Sequence, residues 1–378
     1  MKVIVLGAGL VGAPMAFDLA KNNEFEVTVA DFSQAPLNKF SKHDNIKTKQ
    51  LDVTNEEEFK AVIFNYDLVL SAVPGFLGYE TLKSIIEAKK NVVDISFFPE
   101  DPFSLKELAL ENDVTAIVDC GVAPGMSNIL IGYLASQLDK TENVEIYVGG
   151  LPEVRELPYE YKAVFSPIDV IEEYTRPARY IENGRMVIKP ALTDPELMNF
   201  PNIGTLESFN SDGLRTIAET IDAPNMKEKT LRYPGHIDKM KVLRETGFFD
   251  KEEIEINGKM ISPLEFTSKL LFPKWKLEEG EVDITVMKII VDGVKNGVTI
   301  NTSYSLFDKY DSETQVHSMA RTTGYTGTMG IRILANGMYN EKGIIAPEFI
   351  GKDEECVNFI LNGLEERGIV YTKRVTKK

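Results

Sequence analysis

"KVIVLGAGLVGAPMAFDLAKNNEFEVTVAD", residues 2–31, is read as a strand, a glycine turn, a helix and a second strand. The first run, "KVIVL", is apolar and β-branched, the middle spaces its apolar residues three and four apart, and "EVTVAD" returns to a β-rich run. Between strand and helix stand Gly7, Ala8, Gly9, Leu10, Val11 and Gly12, a complete G-x-G-x-x-G in the context that gives the pattern meaning. Gly7 permits the tight turn, Gly9 lets the backbone approach a pyrophosphate, and Gly12 lets the helix pack closely on the sheet. The helix N-terminus supplies N–H groups and positive potential, and Leu10 and Val11 complete the loop. The bland alternative is an ordinary strand-to-helix turn.

The same alternation continues to residue 120. "NIKTKQLDV", "DLVLSAV", "NVVDIS" and "VTAIVDC" read as further strands, separated by helical stretches such as "TNEEEFKAVIF" and "GYETLKSIIEAK". Six strands with crossover helices predict an α/β fold, a Rossmann doubly wound parallel sheet, with ligands at the carboxyl ends of the strands. Asp31 ends the second strand where a ribose-binding acid is expected. A carboxylate there accepts from the ribose hydroxyls and repels a 2′-phosphate, which predicts NAD rather than NADP; capping of the next turn is the alternative. Asp52 and Val53 end the third strand and are expected to flank the adenine, although "DVTNEEE" also suits a helix start through Thr54 and Glu57. Ser71, Ala72, Val73, Pro74 and Gly75 form a small-residue loop after the fourth strand, able to pass near the nicotinamide half or simply to turn.

The sixth strand runs into "IVDCGVAPGMSN", residues 117–128, where the parallel sheet is expected to end. Gly121 and Gly125 supply unusual backbone angles, Pro124 blocks strand continuation, and Ser127 or Asn128 is expected to satisfy N–H groups at the next helix. This leaves Asp119 at the carboxyl edge of the sixth strand and Asp94 at that of the fifth. After residue 140 the text becomes hairpins, with turns at Asn183-Gly184 and Asn296-Gly297, interrupted by helical pieces. These predict a second α+β domain with a mixed or antiparallel sheet over residues 123–319. The helical, apolar-periodic end returns to the first domain, which is then discontinuous, residues 1–122 with 320–378. Met319, Met329 and Met338 read as gap-filling core.

The 378 residues exceed what one hydrophobic core usually supports. No stretch approaches the roughly 20 apolar residues of a membrane span, and the start is too glycine-rich for a signal peptide, so no membrane partner and a cytoplasmic location are expected. Cys120 and Cys356 lack metal-ligand spacing, so no metal is expected. A net charge of −16 disfavours nucleic acid, and the tail "KRVTKK" reads as a solvated end.

In the second domain, "EKTLRYPGHIDKMKVL", residues 228–243, places Arg232, Tyr233, His236 and Lys239 close together. An arginine fork suits a substrate carboxylate and a histidine suits proton transfer; a surface ion pair and a helix cap are the alternatives. Arg215, after the loop "SFNSDG", is a second carboxylate clamp or an ordinary salt bridge. Arg321 and Thr323 open the last long helix and are further substrate-side candidates. His43 and His317 stand without evident partners and read as bystanders.

Together, "VLGAGLVG", "DCGVAPGMSN", "TLRYPGH" and "MARTTGYTG" resemble the saccharopine dehydrogenase-like family, most closely its short members typified by lysine 6-dehydrogenase, across the whole chain and in the same order. The resemblance implies a Rossmann domain, a dimer-forming α+β domain, hence a homodimer, and NAD(P)-dependent oxidation at a C–N bond of a small amino-acid substrate. The expected reaction is oxidative deamination of the lysine side-chain amine to the 6-semialdehyde. Saccharopine-type or carboxynorspermidine-type chemistry on a secondary amine is the alternative, and a non-enzymatic NAD-binding regulator is the third. An ammonium of pKa about 10.4 lies about 4.6 kcal/mol from neutral at pH 7, so the site must desolvate it or supply a base. His236 is the expected proton-transfer group, Asp119 orients the amine with Asp94 behind it, and Arg215 and Arg232 hold the α-carboxylate.

Overall fold

The computed structural model describes residues 1–278 and 280–377. The chain forms two compact units: the first takes Met1–Ser136 and Ala320–Val370, the second Gln137–Met319 and the terminal strand Tyr371–Lys377.

The first unit is built on a seven-stranded sheet. Its first six strands are Lys2–Leu6, Glu26–Asp31, Ile46–Gln50, Leu68–Ser71, Asn91–Asp94 and Thr115–Ile117. Counted along the chain, they lie in the order third, second, first, fourth, fifth, sixth, and Gly343–Ile345 is added beside the sixth. Every pairing is parallel. Val3, Ile4, Val5 and Leu6 have no exposed surface, as a parallel strand carrying crossovers on both faces requires. The order reverses between the first and fourth strands, which opens a crevice at their carboxyl ends, and the Gly7–Gly12 turn lies there.

The last segment returns to this unit, but with two differences from expectation. Its helices Ser318–Ala335 and Glu354–Glu365 enclose the short strand Gly343–Ile345, hidden in the sequence because three residues carry no period. Beyond residue 370 the chain leaves again: Tyr371–Lys377 pairs antiparallel with Val298–Lys309 in the second unit, Ser303 opposite Arg374. The tail read as a solvated end is therefore an edge strand whose cations remain exposed, a composition that discourages further edge pairing. The other boundary also moves. Helix Met126–Ser136, expected in the second domain, belongs to the first. A Cβ on Gly132 would lie 2.2 Å from the Glu348 carbonyl oxygen and one on Gly351 2.2 Å from that of Ile129. Two glycines thus let backbones meet, a contact that local sequence cannot announce.

The second unit carries a nine-stranded mixed sheet. Among the described residues, its one parallel pair joins Lys140–Pro152 to Met226–Arg232; the long hairpin Asp283–Lys295 and Val298–Lys309 extends one side. Both expected turns are present, with φ of 51° and 73° at Asn183 and Gly184 and 52° and 73° at Asn296 and Gly297, the left-handed pair that two-residue hairpins demand. An aromatic core of Tyr161, Tyr174, Phe209 and Trp275 packs with Ile237 and Met240.

Candidate functional site

At the carboxyl edge of the first unit's sheet, the three glycines of the turn differ in what surrounds them. Gly7 has φ of +101°, and a Cβ there would lie 2.7 Å from the Ala72 carbonyl oxygen; one on Gly12 would lie 2.0 Å from that of Gly7. Protein packing alone therefore requires both. A Cβ on Gly9 would meet nothing within 4 Å. The chain's own packing does not need that glycine, whereas a pyrophosphate drawn against the backbone does. Leu10 projects outward, 51 % exposed, beside the half-buried Val11.

Asp31 braces this turn. Its Oδ2 accepts the Ala8 amide at 2.9 Å and its Oδ1 accepts that of Ser33 at 2.9 Å. Each oxygen retains a second lone pair for a hydroxyl donor. No Lys or Arg follows before Lys39 to neutralise a 2′-phosphate. These residues fit a nicotinamide dinucleotide: the Gly9–Val11 backbone for its diphosphate, Asp31 for its ribose. Ala72, Val73 and Pro74 follow the fourth strand, Ala72 directly against Gly7 and Val73 buried. Asp52 is occupied locally, accepting from the Thr54 amide and hydroxyl at 2.9 and 2.7 Å, bonds that lower its pKa. Val53 packs into the core. That pair behaves as the start of the next helix, the alternative reading of "DVTNEEE".

Two carboxylates close the same edge. Asp94 ends the fifth strand, fully buried; its Oδ1 accepts the Ser96 hydroxyl at 2.8 Å, and the Ser71 hydroxyl, like Ser96, acts to lower its pKa. Burial pushes its carboxyl up to about 7, and the nearby charge of Asp119 adds to the effect. Asp119 lies two residues beyond the sixth strand at φ of +51°, 2 % exposed, a conformation Asp adopts more readily than most side chains. Cys120 is tied back by its amide to the Asp94 carbonyl at 2.9 Å. Burial raises its thiol to about 12, so it fills space and does not ionise at neutral pH. Gly125, at φ of +131°, lies so close to Gly121 that a Cβ would come within 2.0 Å of its carbonyl oxygen.

The next helix is not capped by Ser127 or Asn128 as expected. The loop carbonyls of Gly121 and Val122 accept from Met126 and Ser127 at 2.8 and 3.0 Å, while the Ser127 hydroxyl bonds Asn128. Arg321 is buried and donates to the Arg367 carbonyl at 2.6 Å. Thr323 places its methyl 3.2 Å from where a Gly121 Cβ would stand.

In the second unit the expected cluster exists but is turned inward. Arg232, 2 % exposed, donates to Glu173 at 2.5 Å and lies 4.6 Å from the Tyr161 ring centroid. His236 has no exposed surface. Its Nδ1 lies 2.9 Å from the Tyr159 carbonyl, which can only accept, so Nδ1 carries the proton and Nε2 accepts from Tyr174 Oη at 3.0 Å. Burial, then the Arg232 charge, pushes the imidazole down to about 3. A neutral histidine with both nitrogens occupied is poorly suited to proton transfer, and the pair reads as core structure. Tyr233 donates to the Pro152 carbonyl at 2.9 Å beneath the Arg155 guanidinium, and Lys239 lies 4.0 Å from Glu160. Arg215 follows the Ser211–Gly213 turn at φ of +52°, 6 % exposed. Glu173 and Tyr174 were not legible as site neighbours, because they reach Arg232 from 59 and 58 residues away. A polar cavity of about 460 Å³ in this unit is lined by Lys189, Lys227 and Lys229, each within 4 Å of an acid that also lines it.

Comparison with known proteins matches the chain in two consecutive stretches. Residues 3–117 match the saccharopine dehydrogenase NADP binding domain and residues 121–369 the saccharopine dehydrogenase C-terminal domain. The chain is 23 % identical over 454 residues to the mitochondrial alpha-aminoadipic semialdehyde synthase of Bos taurus, covering all of this chain and 48 % of that one, about half its length. It is 26 % identical to the L-glutamate-forming, NADP(+) saccharopine dehydrogenase of Saccharomyces cerevisiae over 69 % of this chain and 61 % of that one. It is 22 % identical to carboxyaminopropylagmatine dehydrogenase of Synechocystis over 93 % of each. The solved apo saccharopine dehydrogenase of Saccharomyces cerevisiae superposes with a TM-score of 0.82 at 20 % identity, covering 99 % of each chain, and shares the fold. With both domain profiles matched in order over nearly its full length, the chain belongs to the saccharopine dehydrogenase family.

Proposed function

We propose that this protein is a nicotinamide-dependent oxidoreductase acting at a C–N bond of an amino-acid-derived amine, and that its reaction is NAD-dependent oxidation of the L-lysine side-chain amine to the 6-semialdehyde. The observation that carries this reading is the grouping, on one sheet edge, of the Gly9 turn and Asp31 with the buried acids Asp94 and Asp119. The family's two matched domains support the coarser statement. Asp31 supports NAD, although the matched domain is described as NADP binding.

When bound, the dinucleotide supplies the hydride acceptor. The chain's part is to present the amine neutral. Asp119 orients the nitrogen, and Asp94, with a carboxyl near 7, takes up and returns a proton close to working pH. Arg215 engages the α-carboxylate. Water then adds to the substrate iminium and releases ammonia. Arg232 and His236 are left as core residues of the second unit.

The test is an NADH absorbance screen with NAD and NADP against lysine, saccharopine, ornithine, arginine and diamines. NADH formation greatest with lysine is the expected result; a larger rate with saccharopine moves the protein to the secondary-amine reading, which the equally long Synechocystis relative supports. Asp94→Asn should lose at least tenfold in kcat and the limb near pH 7. The proposal includes a homodimer, supported by the exposed apolar side chains Met186 and Ile188 on the strand Arg185–Lys189 at a sheet edge. Light scattering should give twice the 42.3 kDa chain mass.

A further inference from the structure

Glu228 stands in the middle of the strand Met226–Arg232 in the second unit, 3 % exposed. Its carboxylate forms the floor of the turn at residues 211–213. Oε2 accepts the Ser211 hydroxyl at 2.7 Å, and that hydroxyl also lies 2.8 Å from Thr230 Oγ1. The Gly213 amide donates to the same carboxyl group. Gly213 has no alternative: a Cβ there would lie 2.4 Å from Glu228 Cδ. The turn is held from its other side by Asp212, which takes the Arg179 guanidinium through two bonds of 2.9 and 3.0 Å. Below, Tyr180 donates to the Glu228 carbonyl and, at 3.1 Å, to Asn210. Two residues beyond Gly213 the chain reaches Arg215 at φ of +52°. A non-glycine residue keeps a left-handed backbone only where its surroundings over-determine it.

We propose that Glu228 is a positioning residue, which holds the 211–215 turn and thereby sets the Arg215 guanidinium for the carboxylate of an amino-acid substrate. This rests on the reading of Arg215 as the carboxylate clamp. The charged groups around Glu228 are Glu173 and Asp212, with Arg232 and Arg179 paired to them. Burial, with the charges of those two acids, pushes the Glu228 carboxyl up to about 8, against the Ser211 bond. At neutral pH it is therefore mostly protonated and adds no third negative charge beneath the turn. Above about pH 8 it ionises between two acids, and the turn loosens.

The experiment measures kcat and KM for L-lysine and for saccharopine from pH 6.5 to 9.5, in the wild type and in Glu228→Gln, Glu228→Ala and Arg215→Ala, with NADH affinity and thermal melting of each. Wild-type KM should rise several-fold above about pH 8. Glu228→Gln, which keeps the bonds to Ser211 and Gly213 and cannot ionise, should match the wild-type KM at pH 7 within twofold and lose the rise. Glu228→Ala should raise KM tenfold or more with kcat within threefold and NADH affinity unchanged. A folded Glu228→Ala with wild-type KM overturns the proposal; if that variant does not fold, a Glu228→Gln that retains the wild-type rise overturns it instead. Unchanged KM in Arg215→Ala removes the clamp itself, whereas a raised KM there beside an unaffected Glu228→Ala removes only the role of Glu228.

Discussion

The Ala8 amide donates to Asp31 Oδ2 at 2.9 Å, so the acid that ends the second strand also holds the glycine turn that follows the first. The side chain that braces the turn is also the one proposed to read the ribose. Asp31→Ala should cost about 1–2 kcal/mol of stability, as a half-buried amide loses its acceptor. It should also weaken NADH binding roughly tenfold, about 1.4 kcal/mol, while NADPH binding weakens less because a repelling charge is gone. A calorimetric NADPH-to-NADH affinity ratio equal to wild type would show that Asp31 does not read the ribose.

The glycines of the turn separate folding from binding. Gly12→Ala forces a Cβ to within 2.0 Å of a backbone oxygen, and should cost about 3 kcal/mol. Gly9→Ala meets open space and should melt within about 0.5 kcal/mol of wild type, yet bind NADH at least tenfold more weakly. Equal NADH affinity in a folded Gly9→Ala would place the diphosphate elsewhere.

His236 makes stability depend on pH. Its folded pKa, about 3, lies below the 6.5 of a free imidazole. Between these values the unfolded chain binds the extra proton, so stability is complete above about pH 6.5 and lost as pH falls toward 3. From pH 6.5 to 5 the loss is about 2 kcal/mol, at about 1.4 kcal/mol per pH unit. Denaturant midpoints over that range should show this slope in wild type and a shallower one in a folded His236→Gln. The same variant should retain most of its turnover. A hundredfold fall in kcat with unchanged melting would return His236 to the chemistry.

Both cysteines should be silent. Burial raises Cys120 and Cys356 to about 12, with nearby acids adding to the effect. A chromogenic disulfide at pH 8 should label neither thiol in the native protein and both after denaturation. Rapid native labelling of one thiol would mean that its segment opens.

Much of this fold was legible because it is written locally. Six parallel strands, their crossovers, the glycine turn and both Asn-Gly hairpins depend on periods and φ preferences spanning a few residues, and each lies where the sequence places it. The places of Asp31, Asp94 and Asp119 were legible by the same logic, since the carboxyl end of a strand is a position along the chain. Ser127 and Asn128 were misread because a helix start can take its acceptors from loop carbonyls as well as from its own side chains.

What the sequence alone determined is therefore the first sheet, its dinucleotide turn and the family. Tertiary structure alone decided that Arg232 and His236 face Glu173, Tyr174 and Tyr159 in a core, and that the last seven described residues pair in the second sheet while helix Met126–Ser136 stays with the first unit. For the two side chains the physical reason is the same. A cation or imidazole in isolation suits a ligand or a buried acid equally well. Only the partner brought from some sixty residues away, together with the water it excludes, settles which one it meets.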